Sequence, residues 1–456
     1  MLQSKEPIDG SVQASLWQAW TVFLAVVIAI AVMLNGLGRF EPDPQFDTND
    51  YIEFPFDNLM KSLNHPRTFV YPAVLKFAQL TNDSYEYVPW LQYIFSSLAS
   101  GVFLATLLRC SWPPWLALSA TLPILSSSMV LDYTNLLTPD LIAQAFGILV
   151  VSLWLGIVYH GGGVFRYGSL SILVFLAYQT KPSYLFLIVF VPVGGAIASW
   201  WLFSSRPHSF RTALKLAMAS GIPFLGWCCF RWMWVGHFGL VSFGGYNIIG
   251  IAGQLLERDL ANQLSAEVQP LASEILDRRD LQKNWSSVHS YSSFETQFNP
   301  MVWEISVPAA SKLTNNDTGK MNYELSRLSK EILLHRPTGY AIWIALAAKH
   351  AVTECMEITI RNPMVVVALA MMLAAHALRW RKICQSNKGL VPQIERYAQL
   401  DLEYQTIVWL ALGYASSALL LVILVEAPIS RYCAPAAVFL PSILVMLAAD
   451  MFRRLR

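Results

Sequence analysis

Apolar and polar positions in this chain alternate on the scale of a bilayer. Ten predominantly apolar runs, most near the roughly twenty residues a helix needs to cross the hydrocarbon core, cover 17–37, 87–108, 115–131, 141–159, 167–178, 183–203, 212–235, 364–378, 404–425 and 432–451. The fifth and eighth are the shortest. The pattern predicts an all-α integral membrane protein with about ten transmembrane helices.

Two longer segments separate the runs. The first, 38–86, is rich in Pro, Asp and aromatic residues and reads as short interfacial helices and turns. The second, 236–363, contains the longest polar stretch, Arg258 to Lys330. Within it, 254–281 mixes apolar and charged residues at helical spacing and predicts an extramembrane helix. Its end, 340–360, is apolar enough to imitate a span but carries Lys349, His350, Glu354 and Glu357, so it reads as an interfacial helix. The resulting organisation is an N-terminal membrane module, 1–235, with about seven spans and the first outer loop; an outer lid segment, 236–363; and a C-terminal module, 364–456, with about three spans.

Charge orients these elements. With both ends in the cytoplasm, the inner loops and tail collect Arg109, Arg166, Arg206, Arg211, Lys215, Arg379, Arg381, Lys382, Lys388, Arg396, Arg453, Arg454 and Arg456, whereas the short outer turns hold only Lys181 and Arg431. The chemistry is expected on the extracytoplasmic face of the membrane. The first apolar run lacks a signal-peptide pattern and is expected to remain as a span.

Composition agrees: 55% of residues are hydrophobic and 14% charged. Lys and Arg number 32 against 30 Asp and Glu, which gives no reason to expect a nucleic-acid partner. The six cysteines have no metal-ligand spacing and imply no disulfide framework. The glycines at 161–163 lack the lysine of a phosphate-binding loop, so no nucleotide cofactor is expected.

Candidate chemistry collects at the outer ends of the spans. The first outer segment opens Glu41-Pro-Asp43-Pro-Gln-Phe-Asp47-Thr-Asn-Asp50-Tyr51, and on a helical turn Asp47 and Asp50 share a face. A partly desolvated carboxylate there can take a proton from an attacking hydroxyl; it can equally cap an interfacial helix. His65-Pro66-Arg67 follows, and the Arg67 fork suits either phosphate or lipid headgroups. Asp132, Asp140, Lys181, Arg231, Glu426 and Arg431 fall at the same level, each explicable singly as an anchor or, for Asp140, by the helix dipole. Together, acids and cations at one water-facing rim suit transfer from an anionic lipid-linked donor.

Asp47-Thr-Asn-Asp50-Tyr51 after the first span, Arg67-Thr-Phe-Val-Tyr71-Pro72, Leu136-Leu-Thr-Pro-Asp140, Lys181-Pro-Ser-Tyr184 and Ser430-Arg431-Tyr432 with Pro435 occur in an order that resembles the GT-C superfamily of polyprenyl-phosphate-sugar-dependent glycosyltransferases. The resemblance is to the bacterial branch related to protein mannosyltransferases and the aminoarabinose transferase, and it spans about three quarters of the chain. It implies a GT-C-like fold and a catalytic acid in the first outer loop, Asp47 with Asp50 as second candidate. The intervening Thr48 and Asn49 depart from an adjacent-acid motif and leave open which acid acts and whether a divalent metal takes part.

Tyr51, His65, Arg67, Asp140, Lys181, Arg231 and Arg431 are the candidate substrate-binding residues. The implied partners are a polyprenyl-phosphate-linked sugar donor, a glycan, lipid or protein acceptor, and membrane lipids. The implied reaction is an inverting transfer to an acceptor hydroxyl in envelope glycan or glycolipid modification. A transporter or flippase of a lipid-linked sugar, or a lipid-linked glycan polymerase or ligase, would share the same outer rim; the first predicts inverted repeats or interrupted mid-membrane helices that the apolar pattern lacks.

Overall fold

A computed structural model describes residues 10–81, 84–203, 206–282, 290–385 and 402–453; Lys388, Arg396, Arg454 and Arg456, used above to orient the chain, lie outside the described residues. The described chain is all-helical, with one isolated β-bridge. In chain order the helices are α1 (Gly10–Gly36), α2 (Thr48–Ile52), α3 (Leu59–Asn64), α4 (Val70–Gln79), α5 (Val88–Arg109), α6 (Pro114–Leu125), α7 (Ser128–Tyr133), α8 (Asp140–His160), α9 (Val164–Thr180), α10 (Leu187–Phe203) and α11 (Arg206–Val235). Then follow α12 (Gly244–Ala252), α13 (Arg258–Ala261), α14 (Gln269–Asp280), α15 (Tyr291–Asn299), α16 (Val307–Thr314), α17 (Thr318–His335), α18 (Pro337–Arg361), α19 (Pro363–Gln385), α20 (Leu402–Val425), α21 (Ser430–Ala436) and α22 (Leu440–Arg453).

Among the described residues, seven helical segments are long and apolar enough to cross a membrane, and nine if each of two bent pairs forms one span. The protein is an all-α integral membrane protein. The count differs from ten because the expected fifth span forms α9, a helix of 17 residues that falls short of that length. The 340–360 region forms α18, which meets α19 at a bend of 74°; α21 and α22 meet at 48°. Asn362 makes the sharper corner. Its backbone is extended before Pro363, which disfavours helical geometry in the preceding residue, and its side chain joins Pro123 and Ser126.

The bundle centres on α8, the most enclosed span, which packs along α5 and α9, while α10 packs along α11. Gly147 allows the close approach at its middle: a Cβ there would sit 2.6 Å from Tyr414 Oη and 2.7 Å from Tyr184. Apolar faces of α1 and α11 remain exposed, as lipid-facing helices require.

The second long segment packs onto the membrane helices. Trp343, fully buried, donates from Nε1 to the Ile423 carbonyl at 2.9 Å, and Tyr340 donates to Leu424 O at 2.7 Å. The segment closes on itself where Gly245 meets α17 so tightly that a Cβ would lie 2.2 Å from the Asn322 carbonyl oxygen. The single helix expected over 254–281 is instead a short 3-10 turn (Gly253–Leu255) followed by α13 and α14. Pro270 favours a helix start rather than its continuation, and the Gln269 amide donates to the Asn262 and Leu264 carbonyls in the intervening turn.

Candidate functional site

Asp47, Asp50, Arg67, Asp140, Lys181 and Arg431 converge at one end of the bundle. Local sequence explains how each arrives. The loop after α1 is pinned by backbone bonds from Asp43 N–H to Asn135 O, 2.8 Å, and from Leu137 N–H to Asp43 O, 3.1 Å. Thr48 adds a hydroxyl bond to Leu137 O, 3.1 Å, and Gln92 donates to Thr134 O and Leu136 O. These bonds fix Asp47, at the start of α2, beside the N-terminus of α8.

Asp140 opens α8 after Pro139, where the helix dipole favours an acid. Pro182 disfavours helical geometry at the preceding residue; Lys181 is accordingly extended (φ −145°, ψ 119°), α9 ends, and Lys181 Nζ donates to Asp140 Oδ1. Arg431 lies in the first turn of α21.

Arg431 joins the two acids, donating from Nε and Nη2 to Asp140 Oδ2 at 3.1 and 3.0 Å and from Nη2 to Asp47 Oδ2 at 3.1 Å. Arg67 approaches from farther along the same loop, between α3 and α4, with Nη2 3.9 Å from Asp47 Oδ2 and Nε and Nη2 donating to Asp50 Oδ2 at 3.1 and 2.9 Å. Asp47 and Asp50 thus reach the same guanidinium, as their shared helical face requires. Among the described residues the Nη1 groups of Arg67 and Arg431 make no hydrogen bond. Each fork therefore retains donors for an anion.

Asp47 occupies the cap position of α2 without capping it with its side chain. One oxygen serves the arginines; the other, Oδ1, is buried and has no hydrogen-bond partner among the described residues. The carboxylate is 12% exposed. An orphaned acceptor beside two guanidiniums is costly unless it serves a visiting donor or water.

Aromatic rings complete the setting. The Arg67 guanidinium lies over Tyr51, 5.1 Å from the ring centroid, and Tyr51 packs edge-on against Tyr71. Burial pushes the Tyr51 phenol above its ordinary pKa, so it stays neutral. The Lys181 ammonium lies 4.9 Å from the Tyr432 ring centroid. His65 Nδ1 accepts the Arg67 backbone N–H at 3.2 Å, and burial lowers its pKa, keeping the imidazole neutral with Nε2–H as its donor.

Arg231 departs from its expected place in this cluster. Its Nε donates to Leu63 O at 3.0 Å, Nη1 to Gly239 O at 2.5 Å and Nη2 to Ser242 Oγ at 2.8 Å. These bonds tie α11 to α3 and the following loop, so it braces the fold outside the acid cluster, at the wall of a cavity that Arg67 also lines. A buried arginine satisfies its donors with carbonyls when no acid is in reach.

Two cavities meet the cluster. One of about 260 Å³ is walled by Phe54, Phe69, Trp227 and Phe230 and reaches Arg67 and His65. Another of about 460 Å³ reaches Arg431 with Arg39, Gln45, Asp132 and Thr138. Arg67 lines the first and Arg431 the second, and Asp47 contacts both guanidiniums. Gln179 in the first cavity and Glu426 beside the cations carry features that sequence reasoning did not single out as site residues. Among the described residues no group of three or more His, Cys, Asp or Glu side chains is placed to hold a metal ion. No family model, curated protein or solved structure matches the chain.

Proposed function

We propose that the protein is a membrane glycosyltransferase of the GT-C kind, which moves a sugar from a polyprenyl-phosphate donor to an acceptor hydroxyl on the extracytoplasmic face of a bacterial inner membrane. The observation that carries the reading is the Asp47 carboxylate, with Oδ2 held by Arg431 and Arg67 nearby, and Oδ1 unpartnered in the folded chain.

In the proposed step the acceptor oxygen forms a bond to the anomeric carbon as the bond from that carbon to the phosphate oxygen breaks. The bonding pair leaves with the polyprenyl phosphate, the acceptor proton passes to Asp47 Oδ1, and a single displacement inverts the anomeric centre. Arg67 and Arg431 stabilise the phosphate as charge develops on it, through the donors their acids leave free. Asp50 is a positioning residue, since it engages Arg67 on two nitrogens. Asp140 holds Arg431 by opposite charge and is itself held by Lys181.

Mass spectrometry of envelope lipids and glycans from cells with and without the gene tests the reading. It predicts one sugar missing from one envelope component and accumulation of its lipid-linked donor. Identical glycan and lipid profiles in the two strains would contradict it.

A further inference from the structure

Gln179, the penultimate residue of α9, has a side chain with no exposed surface, and neither Nε2 nor Oε1 has a hydrogen-bond partner among the described residues. A buried primary amide can offer two donors and one acceptor, and leaving all of them unmade is strongly unfavourable. Gln179 is one of the residues that line the cavity of about 260 Å³, so the unmet amide belongs to that cavity's wall.

The rest of the lining restricts what fits. Phe54, Phe69, Trp227 and Phe230 supply aromatic surface, while Ser62, His65, Arg67, Thr68 and Arg231 add polar groups. Phe69 and Trp227 pack together with ring centroids 5.7 Å apart, and Trp227 Nε1 is engaged by the Leu240 carbonyl at 3.0 Å, which leaves its ring as an apolar wall. The cavity lies below the 300 to 1,000 Å³ or so usual for drug-sized ligands, a size suited to one small ring. The Gln179 amide and the guanidiniums at the wall, opposite flat apolar rings, complement a molecule with hydroxyls at its rim and C–H groups on its faces beside an anionic group.

We infer that this cavity is a carbohydrate subsite in which Gln179 hydrogen-bonds sugar hydroxyls against an aromatic wall. The inference rests on the proposed glycosyl transfer and specifies where the donor sugar lies. Arg67 fits that placement, since it lines the cavity and approaches Asp47 within 3.9 Å; a phosphate at its guanidinium puts an attached sugar in the cavity and the anomeric carbon beside the base. Gln179 then selects among sugars, because a site built to hydrogen-bond a hydroxyl discriminates strongly against an analogue that lacks it.

The test uses purified full-length protein and measures binding of citronellyl phosphate alone and of citronellyl phosphate carrying glucose, galactose, mannose, N-acetylglucosamine or 4-amino-arabinose. Wild-type protein is expected to bind one sugar-bearing probe at least about tenfold more tightly than the bare phosphate, the size expected from one or two buried hydrogen bonds. Gln179→Leu is expected to remove that gain while binding the bare phosphate as before, at unchanged or higher thermal stability, since an apolar group replaces an unsatisfied polar one. Gln179→Met, unbranched like glutamine, provides a second variant should the first fold poorly.

A sugar gain that persists in both variants, or a wild-type protein that binds the bare phosphate but gains nothing from any sugar, would overturn the subsite while leaving glycosyl transfer standing. Failure of wild-type protein to bind any of the phosphates would overturn both.

Discussion

Arg431 and Asp47 lie 384 positions apart in sequence, yet their side chains meet at 3.1 Å between Nη2 and Oδ2. The contact closes the cluster, because the same nitrogen is also 3.0 Å from Asp140 Oδ2. Arg431 also donates from Nε to Asp140 Oδ2 at 3.1 Å, and a lysine has no planar fork to hold Asp140 on two nitrogens while reaching Asp47. Arg431→Lys is therefore predicted to lower transfer at least about tenfold, and Arg431→Ala to lose in addition about 3–5 kcal/mol of stability by taking a partner from each buried acid. Transfer assays and thermal unfolding in detergent check both effects. Wild-type transfer by Arg431→Lys would show that the bridge is incidental.

Asp140 has a fully buried side chain, and Lys181 beside it is 9% exposed. Removing one member of such a pair strands the other in a low-dielectric setting, whereas removing both costs less than the sum. Asp140→Asn and Lys181→Met are each predicted to destabilise by about 3–5 kcal/mol, with the double variant recovering at least about 1 kcal/mol relative to additivity. Strict additivity in unfolding measurements would show that the two groups are not coupled.

The parts of this site that a sequence reveals are those whose chemistry is unusual for their place. Asp47, Asp50 and Arg67 crowd one loop, while Asp140, Lys181 and Arg431 sit at ends of apolar runs, so helix topology alone brings them to a common level. Gln179 gave a weaker signal, a polar pair Gln179-Thr180 ending an apolar helix before Lys181-Pro182. Its meaning depends on Phe69 and Trp227 closing a cavity around it, a long-range packing result that local spacing does not encode. The partners of Arg231 were hidden for the same reason: Leu63, Gly239 and Ser242 offer backbone and hydroxyl groups brought near by folding, and they hold it at the wall of the cavity that Arg67 lines rather than in the acid cluster. The break of 254–281 into shorter helices was readable in principle from Pro270.

Glu426 supplies a pH test. Burial pushes its carboxyl from an ordinary 4.5 up to about 8, against the opposing pull of Lys181, Arg431 and Arg67. The folded state therefore holds this proton more tightly than the unfolded state. Its stabilising contribution is fully present below 4.5, declines as pH rises through that window, and is lost above about 8. Unfolding temperature is predicted to fall between about pH 5 and pH 8, and Glu426→Gln to flatten the fall. An equal slope in the variant would contradict the assignment.

The close contact of α12 with α17 at Gly245 holds the second long segment together. Gly245→Val must displace the Asn322 carbonyl and is predicted to cost at least about 1–3 kcal/mol, as overpacking does. Limited proteolysis should then cut α12 to α17 sooner than in wild-type protein. Unchanged cutting rates would show that the contact is loose.

The central claim is that Asp47 is the base. Removing a general base lowers a rate by roughly 10²–10⁴-fold, whereas losing a helix cap costs about 1 kcal/mol and leaves turnover nearly intact. The decisive measurement is sugar transfer from a lipid-linked donor by Asp47→Asn in reconstituted membranes, beside Asp50→Asn and wild type. The account predicts loss of transfer by at least about 10²-fold in Asp47→Asn at near wild-type expression and unfolding temperature, with a smaller loss in Asp50→Asn. Near wild-type transfer by Asp47→Asn would contradict it.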